Sequence, residues 1–182
     1  MSSLRYRPPI YSGSSTVPRD VEILPICVCE LLTDITYAGS GVLNPIGASP
    51  NWILQTDDTN SFNQSTQTYT CPLEGSYEIA VVSRPTTGFS LQLHILVQIT
   101  NPNGTPNREY VLDYQRDAYH RGGYLQTPLI PRGSTIKMFW VIPTSGAPVF
   151  TGTTTITGYS RVHNWFSIKY DPRYRVSAGS LA

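Results

Sequence analysis

The stretch Phe89-Ser90-Leu91-Gln92-Leu93-His94-Ile95-Leu96-Val97-Gln98-Ile99-Thr100 alternates residue by residue. In an extended chain successive side chains point to opposite faces. Phe89, Leu91, Leu93, Ile95, Val97 and Ile99 therefore share one face, and Ser90, Gln92, His94, Leu96, Gln98 and Thr100 share the other. Such a period of two predicts a β-strand with one buried face, not a helix. Upstream, Tyr77, Ile79 and Val81 show a shorter version of the same pattern. Downstream, Pro102-Asn103-Gly104 supplies turn residues that lead into a second strand over 109–114, so the two form a hairpin.

Working outward, further strands are expected at 26–32, 52–54, 66–69, 135–142 and 153–162. Ile136, Met138, Trp140 and Ile142 fall on one face of the fourth of these, and the fifth is rich in β-branched residues. Phe166, Ile168 and Tyr170 add one more strand. The 14 glycines and 15 prolines are scattered too evenly for helices of ordinary length to fit between them. The fold class is therefore all-β: a single jelly-roll β-sandwich of about eight to ten antiparallel strands, the common solution at this strand count. A chain of 182 residues has room for one domain with a sizeable core. The expected division is an extended N-terminal arm at 1–22, the sandwich at 23–162 and a C-terminal extension at 163–182. The arm is marked by Pro8, Pro9 and Pro18 around Ser12-Gly13-Ser14-Ser15.

A family resemblance enters at three places. Pro72-Leu73-Glu74-Gly75-Ser76-Tyr77, preceded by Tyr69-Thr70-Cys71, resembles the element with which a strand opens in the TNF and C1q-like superfamily. Leu129-Ile130-Pro131-Arg132-Gly133-Ser134-Thr135 is similar to that family's turn into its penultimate strands. Thr155-Ile156-Thr157-Gly158-Tyr159 is similar to its closing strand, although an aromatic usually stands where Ile156 does. The resemblance spans 26–162 and implies a jelly roll that trimerises and binds a receptor or glycan through loops at one end. Virion capsid and spike proteins use the same topology.

Only 14% of residues are charged and the formal net charge is +1. The two ends together sum to +5 and the middle to −4. Basic residues this sparse predict weak nucleic-acid contact at most, because affinity for phosphates grows with the number neutralised. No apolar run is long enough for a signal peptide or a membrane span. Cys27, Cys29 and Cys71 are an odd number without a disulfide framework, which points to a reducing site of synthesis.

No catalytic constellation is legible, so the chain reads as a non-enzyme without a cofactor. His94, His120 and His163 lie outside any metal-ligating spacing, and Cys27 and Cys29 share one strand face without further ligands nearby. Asp57-Asp58, in a loop with Asn60, is the one vicinal acidic pair and reads as a solvated turn more readily than a calcium site. The sequons at Asn63 and Asn103 are read as unmodified. For recognition, the candidates are Tyr110, Tyr114, Arg116, Tyr119, His120, Arg121 and Tyr124, because Tyr and Arg are enriched at binding hot spots. For assembly through the arms, they are Arg5, Tyr6, Arg7, Tyr11, Trp165, Tyr170, Arg173, Tyr174 and Arg175. The expected role is a virion structural protein, a capsid, penton or spike subunit made in the cytoplasm. It would self-associate as a trimer or larger shell and contact other virion proteins or a host receptor. The alternative is a trimeric C1q/TNF-like recognition head.

Overall fold

A computed structural model describes residues 24–36, 41–85, 94–112, 114–115, 121–142, 149–150, 152, 154–156 and 159–174. The first half of the chain forms β1 (Ile26–Leu31), β2 (Ile35–Thr36), β3 (Leu43–Pro45), β4 (Trp52–Asp57), β5 (Phe62–Asn63), β6 (Thr68–Thr70), β7 (Ser76–Ser83) and β8 (His94–Thr100). The second half forms β9 (Pro106–Leu112), β10 (Tyr114–Gln115), β11 (Arg121–Gln126), β12 (Thr135–Val141), β13 (Val149–Phe150), β14 (Thr154–Ile156), β15 (Tyr159–Arg161) and β16 (Trp165–Asp171). A single 3-10 turn follows at Pro172–Tyr174.

Two sheets carry the sandwich, in the orders β10-β11-β7-β16-β1-β4 and β5-β6-β12-β8-β9, with β3 also on β12. Taking β1, β6, β7, β8, β9, β11, β12 and β16 as the principal strands, the first sheet runs sixth-third-eighth-first and the second runs second-seventh-fourth-fifth. All of these pairs are antiparallel. Sheets interleaved in this way, with first beside last, make a jelly roll. The expected hairpin is present as β8 and β9, around the turn in which Gly104 adopts a φ of 81° and donates its N–H to Asn101 O.

The alternation read from the sequence sets the core. Ile95, Val97 and Ile99 of β8 face Ile136, Met138 and Trp140 of β12, and all are buried against Ile79 and Val81 of β7 and Cys27 and Cys29 of β1. Aromatic rings fill the interior: Trp52 meets Trp140 at 5.7 Å and Phe166 at 5.8 Å, while Tyr77 lies edge-on to Tyr69 and Tyr170. Buried polar atoms are tied in as well. Trp140 Nε1 donates to Ser83 Oγ at 2.6 Å, which joins the two sheets. Tyr77 OH donates to Leu73 O at 2.7 Å. In the stretch that opens β7, Gly75 has a φ of 155°, and a Cβ there would lie 2.5 Å from the Tyr170 ring. Glycine is required at this point by both the backbone and the neighbouring ring.

Two sequence expectations are corrected. Within 153–162 the described residues form not one long strand but two short ones, β14 and β15, which among the described residues pair with one another and with neither main sheet. The closing strand lies later. The stretch from 163 is not an extension of a finished sandwich, because β16 sits inside the first sheet, bonded to β7 on one side and β1 on the other. Phe166, Ile168 and Tyr170 of β16 are fully buried. Trp165 and Tyr170, expected in an assembly arm, are therefore sheet residues. The proposed N-terminal arm, with Arg5, Tyr6, Arg7 and Tyr11, lies outside the described residues.

A chain ending at His163 is expected to lack a cooperative thermal unfolding transition by circular dichroism. Losing three buried side chains worth roughly 1.5–3 kcal/mol each, plus two ladders, consumes most of a stability of about 5–15 kcal/mol. A truncated chain that melts like the full one would contradict the placement of β16.

Candidate interaction surface

The strand registers decide what the first sheet shows to the outside. Across β11, β7, β16 and β1, the inward rows are Leu125-Ile79-Ile168-Cys27 and Gly123-Val81-Phe166-Cys29. One residue along each strand gives the outward rows. The first is Tyr124-Ala80-Ser167-Val28, and the second is Gly122-Val82-Trp165-Glu30, which continues to Ile53 of β4. The outer face thus carries Val28, Ile53, Ala80, Val82, Tyr124 and Trp165, with Ala80, Val82, Tyr124 and Trp165 clustered on β11, β7 and β16, and with Ser167 and Glu30 separating that cluster from Val28 and Ile53. Tyr124 is 60% exposed and Ile53 41%. A solvent-facing sheet surface ordinarily alternates with polar side chains, and a band in which apolar ones stand side by side marks a contact surface.

Charge frames this band at one end. Gln126, Glu78, Lys169 and Ile26 form the next outward row. Beside it, Arg173 Nη2 donates to Glu78 Oε1 at 3.1 Å and to Asp171 Oδ2 at 2.8 Å, and Nε donates to Asp171 Oδ1 at 2.9 Å. The forked contact from Arg173 holds the Asp171 carboxyl below its ordinary value. Desolvation and the neighbouring Glu78 carboxylate push the Tyr124 phenol up.

The expected recognition residues separate on this framework. Tyr124 joins the outward band. Tyr110 does not: it stands opposite inward-facing Val97, is half-buried against the core, and keeps its hydroxyl buried with no hydrogen-bond partner among the described residues. Directly opposed residues of an antiparallel pair share a face, so the tyrosine in β9 points into the sandwich and Val111, 61% exposed, points out. Tyr114 and Arg121 lie in the paired strands β10 and β11. Arg116, Tyr119 and His120, with Arg175 of the tail, lie outside the described residues. Arg173 and Tyr174 form the turn after β16, where Arg173 is engaged as above. Val82, Ile53 and Val28 escaped the sequence reading because an apolar outward residue in a strand has the same letter as an apolar inward one.

The remaining chemistry is structural. Cys27, Cys29 and Cys71 are buried free thiols. The hydrogen bond between Cys29 and Cys27, together with burial, pushes the Cys27 thiol up, and burial pushes Cys71 up to about 12. Neither is a thiolate near neutral pH, so neither acts as a nucleophile there. Asp57 spends both carboxylate oxygens on its own loop, accepting from Ser61 N at 2.9 Å and Phe62 N at 2.8 Å. His163 Nδ1 lies 2.9 Å from Arg84 Nη1, and His94 stands on the outward face of β8. Among the described residues no three His, Cys, Asp or Glu side chains gather as metal ligands, and no helix is long and apolar enough to cross a membrane.

No protein-family model matches the chain, and no curated protein does. Solved structures with a similar fold include the globular domain of zebrafish complement 1qA, at 14% identity and a TM-score of 0.48, covering 81% of this chain and 97% of that one. Eiger TNF from S. frugiperda is 8% identical with a TM-score of 0.48, covering 84% and 99%. Murine APRIL is 12% identical with a TM-score of 0.46, covering 80% and 98%. The jelly-roll assignment itself rests on the strand order.

Arg173→Ala is expected to lower the thermal midpoint at pH 7. Because the folded Asp171 carboxyl sits below its ordinary value of 3.8, the stabilisation is complete well above that pH and is lost as pH falls below it. The gap between wild type and variant should therefore narrow in acid. A gap of equal size at pH 7 and pH 2.5 would contradict this.

Proposed function

We propose that this protein is a non-catalytic, homo-oligomeric recognition head, whose copies associate through the outward face of the β10-β11-β7-β16-β1-β4 sheet and leave the loops at the sandwich ends free to bind. The observation that carries the reading is the band of Val28, Ile53, Ala80, Val82, Tyr124 and Trp165 on that face. The five longer strands, β11, β7, β16, β1 and β4, at ~4.8 Å spacing and about 20 Å long, give a face of roughly 20 by 20 Å in projection. That is the right order for one side of a stable protein interface, about 800 Å² of accessible surface per partner. Aromatic residues such as Tyr124 and Trp165 are enriched in interface cores, and the Glu78, Lys169 and Arg173 charges suit a polar rim.

A second copy is the favoured partner because closed symmetric homo-oligomers are the commonest assemblies of soluble chains. A trimer is the state proposed here, following the C1q/TNF-like resemblance. Loops of the head would meet a receptor or glycan.

The setting proposed for this head is a virion spike or capsid subunit made in a reducing compartment. Three buried unpaired thiols support that site of synthesis over an oxidising secretory route. Within the virion reading, a spike is favoured over a shell wall held by a C-terminal arm, since most of the stretch assigned to that arm is built into the first sheet.

Val82→Glu and Trp165→Glu place a carboxylate in the centre of the band without touching the core. Both are expected to convert a wild-type trimer, measured by light scattering, into a folded monomer with an unchanged far-ultraviolet spectrum. Wild-type protein that is monomeric throughout the micromolar range would overturn the proposal, as would variants that remain trimeric.

A further inference from the structure

The two sheets close on one side and part on the other. On the closed side, Gly123 of β11 lies so near Leu112 of β9 that a Cβ would sit 2.4 Å from the leucine Cβ. On the opposite side the edge strands are β4 and β5. Between them opens a groove of about 630 Å³, bordered by Leu54, Phe62, Pro72 and Cys71, by the amide side chains of Asn60, Asn63 and Gln64, and by Thr70 and Arg132. Its volume lies in the range of small-molecule sites.

Several features mark this groove as a built site. Its walls are fixed before any ligand arrives. Asp57 holds the Ser61 and Phe62 amides, and Asn63 Oδ1 accepts from Ser65 N at 2.9 Å and Thr66 N at 3.2 Å. Gln64 Nε2 donates to Trp52 O at 3.0 Å, and Gly133 N donates to Cys71 O at 2.8 Å. Ser134 N donates back to Pro131 O at 3.1 Å, with Gly133 at a φ of 82°, so Arg132 rides on a tight turn that demands a left-handed residue after it. Against this fixed frame, the Arg132 guanidinium, the Thr70 hydroxyl, the Asn60 amide and the Gln64 Oε1 make no hydrogen bond with the described residues. The frame that carries them is held by the loop's own hydrogen bonds, while Asn60, Thr70 and Arg132 are exposed and open to a ligand.

We propose that this groove binds a carboxylated pyranose, the acidic terminal sugar of a glycan. Among the described residues Arg132 is the one charged residue lining it, so a single carboxylate is the matched partner, taken up by a forked guanidinium contact. The amides and Thr70 offer donors and acceptors for hydroxyl groups, and Leu54 and Pro72 offer an apolar wall for the carbon face of the ring. The inference deepens the recognition-head reading, naming the ligand class, and rests on it.

Full-length protein titrated with methyl α-N-acetylneuraminate or methyl glucuronide, followed by saturation-transfer NMR, tests the proposal. The carboxylate form of at least one sugar is expected to bind, with its methyl ester roughly tenfold weaker, the ratio expected for losing one charge-assisted contact. Arg132→Ala should abolish that preference while leaving the thermal midpoint unchanged. Equal binding of acid and ester, full binding by the variant, or no binding of either sugar at millimolar concentration would overturn the inference. So would inorganic phosphate displacing the sugar as well as unlabelled sugar does. Light scattering on the same sample separates the two readings: a trimer that binds no sugar sinks the inference alone, and a monomer sinks the recognition-head reading whatever it binds.

Discussion

The fold depends on a single closure, the insertion of β16 between β7 and β1. The last described strand bonds to the first described one and to β7, burying Phe166, Ile168 and Tyr170 in the act. Until it arrives, β1 and β7 present unpaired inner edges and the first sheet is two fragments. Contacts of such long sequence separation are entropically expensive to make and cannot be replaced by local ones. Asn164 reinforces the closure at its start, where its backbone oxygen accepts from Leu31 N at 2.9 Å and its side chain joins the backbone of Arg84. Gly75, pressed under the Tyr170 ring, guards the other end.

Because β16 is central, its two faces have different work. Inward, Phe166 lies 5.4 Å from Phe62 and 5.8 Å from Trp52, linking the first sheet to the edge of the second. Outward, Trp165 stands in register between Val82 of β7 and Glu30 of β1, with Ile53 of β4 one strand beyond. A strand that organises the core thus also sets the proposed assembly surface. The groove has a related origin. Close approach at Gly123 and Leu112 draws one margin of the sandwich shut, while β4 and β5 are margins of different sheets that do not pair with one another.

Much of this was legible in the letters. Strict alternation at Ile95, Val97 and Ile99, and at Ile136, Met138 and Trp140, gave both the strands and their buried faces, since a residue's side in an extended chain follows from parity. The Gly75 and Gly133 turns were legible because few residues but glycine accept their backbone angles. Strand order was not legible. Nothing local distinguishes Trp165–Asp171 as a central strand from a tail carrying aromatic residues, and β-branched residues at 154–156 read as core although they form a separate two-stranded hairpin. The candidate surface was half visible. Tyr124 and Trp165 stood out as large aromatics, but Tyr110 looked the same and points inward, while Val28, Ile53 and Val82 carry no signal until the register is known. Arg132 carries no signal in the sequence beyond its place in a turn, because the groove beside it is assembled from segments sixty or more positions apart.

Oxidative footprinting of the full-length protein across a dilution series tests the central claim most directly, by reading Trp165 against its neighbours. Trp52 and Trp140 are buried in the core and serve as internal standards. The account predicts that Trp165 and Tyr124 are protected at high concentration and become reactive together on dilution, while the two core tryptophans stay protected throughout. Trp165 and Tyr124 reacting at the same rate at every concentration would contradict an interface on this face of the sheet.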